Sequence, residues 1–168
     1  MIINKLTDTQ REQLETIIPS SDSSMECRPC QVILNNGDKI ENVYIVEENK
    51  YLETWGVMPD HDPNKRYVLI ENVIEIKESP NRMPPDLANK IYKEGESGMG
   101  YTLFKIVFDN GQTLDVCTGN AVDFVPLPHG LNSKNIKDVL PHQASRENFT
   151  KGPQYYWCLF KGDTPSFV

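Results

Sequence analysis

Apolar positions along the chain follow two rhythms. The first is helical. Thr7 and Gln10 stand at capping-box spacing, Leu14, Ile17 and Ile18 fall on one face, and Pro19 ends the run. Ser20–Ser24 is a polar connector. From Val32 the rhythm shortens to that of strands. Val32-Ile33-Leu34 leads into Asn35-Asn36-Gly37-Asp38, and Ile40 and Val43–Val46 follow. Asn-Gly between β-rich runs predicts a hairpin in which both central residues take positive φ. The stretch Tyr51–Tyr67, rich in Pro, Asp and Asn, reads as a loop. Pro84-Pro85 opens a short helix carrying Leu87, Ala88 and Ile91, with Lys93 near its end and Gly95 after it.

The hairpin grammar then returns. Ile106-Val107-Phe108 leads into Asp109-Asn110-Gly111-Gln112, followed by Leu114, Val116 and Cys117. Sliding the chain by 74 (111 − 37) places Val32 on Ile106, Leu34 on Phe108, Ile40 on Leu114 and Val43 on Cys117. A second block, Asn72–Ile76, matches Asn135–Val139 at a shift of 63 (135 − 72). The first copy therefore holds a loop 11 residues longer (74 − 63), placed within Tyr51–Tyr67. The repeat predicts two copies of one unit. Gln154–Phe160 reads as a closing strand, and the tail from Asp163 to Ser166 as frayed.

Each copy is a hairpin, a loop and a closing Asn-φ-x-x-φ segment, where φ is apolar. That pattern resembles the small, strongly bent barrels of the SH3-like and Sm-like type. The expected fold is mainly β (α+β): two such units joined by a short helix, with an N-terminal helix and a C-terminal strand. The expected divisions are 1–24 for the N-terminal helix and connector, 25–82 for the first β unit, 83–143 for the linker helix and second β unit, and 144–168 for the last strand and tail.

Charge narrows the function. With 17 basic and 24 acidic residues the net charge is −7, which opposes binding to a phosphate backbone and favours a basic partner. No stretch approaches the roughly 18 apolar residues of a membrane span. The first residues lack a secretory pattern, so the expected location is cytoplasmic, with four reduced cysteines.

Candidate chemistry is sparse. Cys27-Arg28-Pro29-Cys30 has the spacing of half a zinc knuckle or a redox pair, but a zinc site needs four ligands and the other cysteines, Cys117 and Cys158, are isolated. Asp60-His61-Asp62 offers metal-ligand types within one Pro-bracketed turn and reads as a solvated loop. His129 and His142 read as surface turns. No metal and no cofactor is expected. Tyr155-Tyr156-Trp157 alternates in a strand, so core packing is favoured over an interface patch.

Gly95-Glu96-Ser97-Gly98-Met99-Gly100 is the most unusual stretch. It is superficially similar to the Gly-Asp-Ser-Gly-Gly sequence of chymotrypsin-like proteases, but Met99 replaces a glycine and a helix precedes it. It fits neither an α/β-hydrolase elbow nor a phosphate loop, because it runs from a helix into a strand. Three glycines in six residues exceed what one helix cap requires, which points to a binding loop. Glu96, Ser97, Gly98, Met99 and Tyr101, joined by Thr118, Asn120 and Asp123 after the second hairpin, form the expected contact groove.

The function expected from sequence is a non-enzymatic binding protein with a protein or small-molecule partner, of an inhibitor or immunity type. One alternative is a small hydrolase or ligand-sensing enzyme using Ser97, a histidine and a carboxylate. A hydrolase requires Ser97 within about 3.2 Å of a histidine nitrogen or a carboxylate, or one water away. The other alternative is a zinc-stabilised module built on Cys27 and Cys30.

Overall fold

In the computed structural model, which describes residues 1–23 and 25–163, the capping box at Thr7 forms as the spacing predicts. Thr7 Oγ1 accepts the Gln10 amide, and Gln10 Oε1 accepts the Thr7 amide. Helix α1 (Asp8–Glu15) begins the chain. The other elements are β1 (Ser20–Asp22), β2 (Met25–Leu34), β3 (Lys39–Glu47), α2 (Glu48–Trp55), β4 (Val73–Lys77), α3 (Pro85–Glu94), β5 (Thr102–Phe108), β6 (Thr113–Thr118), β7 (Ile136–Pro141), β8 (Thr150–Lys151) and β9 (Tyr156–Phe160). Among the described residues the protein is mainly β, with two sheets and three helices. The expected fraying beyond Asp163 lies outside the described residues.

The chain divides into two units. The first takes residues from 1–19, 24–79 and 155–168, and the second from 20–23 and 80–154. Within the first unit the strands run β4-β2-β3-β9, and in the second β7-β5-β6-β8. In each, a hairpin (β2-β3 or β5-β6) gains an antiparallel third strand on its first arm and a parallel fourth strand on its second. The sheets are open. Among the described residues neither closes into a barrel, so the SH3-like and Sm-like expectation is corrected on that point.

Each unit has its own core. Leu14, Ile17, Cys30, Val32, Val43, Ile45, Val73, Ile76 and Cys158 are among the residues that fill the first. Met83, Ile91, Phe104, Ile106, Phe108, Val116, Ile136 and Val139 are among those that fill the second. A helix covers each core and is tied to the third strand. The Gln10 amide nitrogen donates to the carbonyls of Ile70 and Val73, at 3.0 and 2.8 Å, and Gln13 Oε1 accepts the Ile76 amide. On α3, Lys90 pairs with Asp138 at 2.9 Å.

The two hairpin turns match bond for bond. Leu34 N–H reaches the Asp38 carbonyl at 2.8 Å, and Phe108 N–H reaches that of Gln112 at 2.9 Å. The Gly37 and Gly111 amides donate back to Leu34 and Phe108, at 2.9 and 3.0 Å. Asn36 Oδ1 and Asn110 Oδ1 each accept the amide two residues on, at 2.9 Å. Only the glycines take positive φ, +91° and +84°, whereas Asn36 and Asn110 do not. The expectation of two positive-φ residues is thus corrected to a type I turn followed by a left-handed glycine. A Cβ at either glycine would meet nothing within 4 Å, so substitution costs backbone strain alone. Gly37→Val and Gly111→Val should each destabilise by about 1–2 kcal/mol in urea unfolding. A change within about 0.5 kcal/mol of the parent would place the turns in another conformation.

Two further expectations change. Tyr51–Tyr67 does not begin as a loop: α2 runs through it to Trp55, capped by Gly56 at φ +76°, with a 3-10 turn at Pro59–His61 beyond. The match of Val43 to Cys117 also slips by one. A bulge between Cys30 and Val32 adds a residue to β3. Cys30 therefore opposes Val43 where Phe104 opposes Val116, and Val43 and Val116 are the equivalent core residues.

Candidate functional site

The glycine segment becomes a small closed hairpin at one end of the second unit's sheet. Gly95, at φ +75°, ends α3. The Ser97 and Gly98 amides both donate to the Tyr101 carbonyl, at 3.0 and 3.3 Å, and the Tyr101 amide returns to the Gly98 carbonyl at 3.3 Å. Gly100 supplies the positive φ, +82°, that the tight turn needs. A side chain at Gly98 would collide with the Tyr101 ring that lies over it. Glu96 accepts the Gly100 amide at 3.2 Å, and Arg146 donates to the Tyr101 hydroxyl at 2.7 Å. Met99 stands at the tip, 96% exposed.

Ser97 is clasped from both sides. Its Oγ accepts the Leu103 amide at 2.8 Å and lies 2.7 Å from His142 Nδ1. The other ring nitrogen, Nε2, lies 3.2 Å from the Glu94 carbonyl oxygen. A carbonyl only accepts, so Nε2 carries a proton, and in the neutral ring Nδ1 accepts the Ser97 hydroxyl. His142 reaches this position from the end of β7 with φ at +65°, its own amide bonded to the Leu103 carbonyl at 2.8 Å. A non-glycine residue held there stores strain, of a kind that gathers at functional sites.

The distance a hydrolase needs is therefore present. Other parts of an acyl-transfer site are arranged differently. Behind His142 stands a backbone carbonyl where a triad has a carboxylate. The Ser97 and Gly98 amides are already bonded to the Tyr101 carbonyl, and the Leu103 amide to Ser97 Oγ itself, so none of them is left for an oxyanion.

Thr118 closes β6 opposite Thr102, so the segment after it leaves the sheet at the same end as the glycine loop. Both expected groups thus adjoin the same end of the sheet, and the residues after β6 differ in exposure. Thr118 is buried and its hydroxyl donates to the Gly119 carbonyl at 3.0 Å. Asn120 is half-buried, with its Oδ1 lacking a partner among the described residues. Asp123 is fully buried. Its Oδ1 accepts the Tyr92 hydroxyl and its Oδ2 the Ser20 hydroxyl, each at 2.5 Å, and Arg82 Nε lies 4.0 Å from Oδ2. Asp123 thus anchors the segment from within instead of lining a surface groove. Asp22 is held above the ordinary carboxylate range by burial, then by the charges of Asp123 and Glu96. Negative charge is crowded at this end of the unit.

The remaining candidates lie apart. Strand alternation sends Cys27 and Cys30 to opposite faces of β2, and both are buried. Among the described residues no group of three or more His, Cys, Asp or Glu side chains could hold a metal ion. His61 is exposed, and Asp60 pairs with it and with the Met1 amino group, at 3.7 and 3.3 Å. His129 sits in a surface turn closed by the Leu131 amide. Tyr156 packs on the first core, while Tyr155 and Trp157 turn to the other face. Arg146 and Glu94, which complete the loop's clasp, carried no sequence signal, since both act across 45 or more residues. No helix among the described residues is long and apolar enough to cross a membrane. Comparison with protein-family models, with curated proteins and with solved structures finds no match to this chain.

Proposed function

We propose that the protein is a non-enzymatic binding protein that uses the glycine loop of its second unit to engage a basic protein partner, in the manner of an inhibitor or immunity protein. The observation that supports it is the held loop. A nearly fully exposed methionine stands on a turn fixed by Ser97, His142, Tyr101 and Arg146. One exposed methionine means little by itself. A loop already fixed before binding loses little entropy on association, which is the usual reason to hold one so firmly. The exposed carboxylate of Glu96, with the half-buried Asp22 near it, favours a basic group on the partner.

The test is capture from native lysate by the parent chain, by Met99→Asp and by Glu96→Lys. A single basic protein retained by the parent and reduced at least about tenfold by both variants supports the proposal. Capture that both variants leave unchanged refutes it.

A second reading rests on the 2.7 Å contact between Ser97 Oγ and His142 Nδ1. In a hydrolase, Ser97 would be the nucleophile and His142 its base. A fluorophosphonate probe should then label Ser97 and fail to label the His142→Ala variant. Absence of labelling in the parent removes this reading.

The two units are best understood as an internal duplication. The support is their common strand order and matching turn bonds, and the shift of 63 that carries the 3-10 turn Ile70–Asn72 onto Ser133–Asn135. The duplicated unit is a helix and a four-stranded open sheet.

A further inference from the structure

We propose that the aromatic cluster on the outer face of the first unit's sheet is a ligand site for a small, apolar-bodied molecule that presents carbonyl-type hydrogen-bond acceptors. The site lies in the first unit and is independent of the glycine loop.

Its position follows from the strand register. Val43 and Ile45 on β3, with Cys158 on β9, point into the core. Tyr44 and Trp157, which oppose each other across the β3–β9 pair, therefore point to the other face. Tyr51 and Trp55 of α2 close over them. The Trp157 ring lies 5.1 Å from Tyr44, 5.1 Å from Tyr51 and 6.0 Å from Trp55, centroid to centroid. Tyr155 borders the group 6.1 Å from Trp157.

The polar edges of these rings are what point to a ligand. Tyr51 and Trp157 are buried to within 1% of their surface. Tyr51 Oη, Trp157 Nε1 and Trp55 Nε1 are buried atoms without a hydrogen-bond partner among the described residues. An indole N–H can only donate, and a phenol most readily does. These three donors therefore have no acceptor among the described residues. Buried donors left so are rare and strongly disfavoured, and ring walls with a few placed donors are the usual make-up of small-molecule sites. Lys65 and Asp62 supply opposite charges at its rim. The Lys65 ammonium lies 3.8 Å from the Trp55 ring centre, with its pKa lowered by burial and sustained in part by Asp62. A neutral ligand suits a rim of balanced charge better than an ion.

The second unit has no counterpart. At the positions equivalent to Tyr44 and Trp157 it has Cys117 opposite Lys151. The same face there carries the ion pair Lys105–Asp115, at 2.7 Å. The longer connection of the first copy, which holds α2, supplies Tyr51 and Trp55 of the aromatic site.

Trp55 and Trp157 are the only tryptophans of the chain, so the two indole N–H resonances report on this site alone. Titrating the full ¹⁵N-labelled chain with benzamide should move both downfield and saturate. Toluene, which has the ring but no acceptor, should bind about threefold to tenfold more weakly. Tyr51→Phe keeps the ring and should weaken benzamide by a similar factor, with the rest of the spectrum confirming its fold. The Met99→Asp variant should titrate as the parent does, whatever becomes of the glycine-loop proposal. No saturable shift up to the solubility limit of benzamide overturns the site, as does equal binding of toluene or an unaffected Tyr51→Phe variant.

Discussion

Replacing Asp123 by alanine is expected to lower the unfolding free energy by about 3–5 kcal/mol, because it leaves a buried guanidinium without its counter-charge. Asp123 is fully buried and Arg82 nearly so. The carboxylate also gathers hydroxyls from β1 and α3, through Ser20 and Tyr92, and the Tyr92 hydroxyl accepts the Val122 amide at 3.1 Å. Arg82 Nη2 donates to the same Ser20 hydroxyl at 3.2 Å. The change thus undoes several bonds at one point in the second unit. Urea unfolding followed by far-ultraviolet circular dichroism measures it. The Arg82→Met/Asp123→Ala double variant should recover part of the loss, since removing both charges leaves neither unpaired. A single-variant loss below about 1 kcal/mol would mean that Asp123 is not the anchor the geometry describes.

That anchor was only half legible in the sequence. Asp123 stood out as a polar residue beyond the second hairpin, and its place at the same end of the sheet as the glycine loop followed from chain order. Its burial did not, because the groups that make burial tolerable come from positions 20, 82 and 92. Local pattern says nothing of partners that far away. The hairpins were legible for the opposite reason. Each Asn-Gly turn and the apolar strand residues beside it, such as Val32 and Ile106, are written within a few residues of one another. Where the reading slipped, at Val43, the cause was a bulge whose extra residue leaves no mark in composition.

Helix α2 was legible in part. Gly56 stands directly after Trp55 as a left-handed cap, and Tyr51, Leu52 and Trp55 keep helical spacing. The N-terminal signal is weaker, since Glu47 serves as the cap in place of the usual Ser, Thr, Asp or Asn. The Pro, Asp and Asn residues that follow then dominate the reading of the whole stretch. For the glycine loop, the sequence showed an excess of glycine but not the clasp. The pairing of Ser97 with His142 spans 45 residues and depends on a positive φ at a histidine, which propensity disfavours.

Trp157→Ala should cost about 3–5 kcal/mol, comparable to the loss at Asp123 but for a different reason. Trp157 is the ring on which Tyr44, Tyr51, Trp55 and Tyr155 all rest. Its removal opens a cavity between α2 and the sheet that four neighbouring rings cannot collapse to fill. The equivalent change in the second unit, Lys151→Ala, removes an exposed side chain and should stay within about 0.5 kcal/mol of the parent. The pair of measurements contrasts the packed aromatic face of the first unit with the ionic face of the second. If the aromatic cluster is a structural layer that the first copy requires, Trp157→Ala destabilises and the Tyr51→Phe variant, which loses only an unpaired hydroxyl, is close to neutral. Urea unfolding monitored by tryptophan fluorescence reads both, from Trp55 alone in Trp157→Ala. A loss below about 1 kcal/mol for Trp157→Ala would show that α2 holds its place without the ring beneath it, and that the packing inferred from the centroid distances carries little of the first unit's stability.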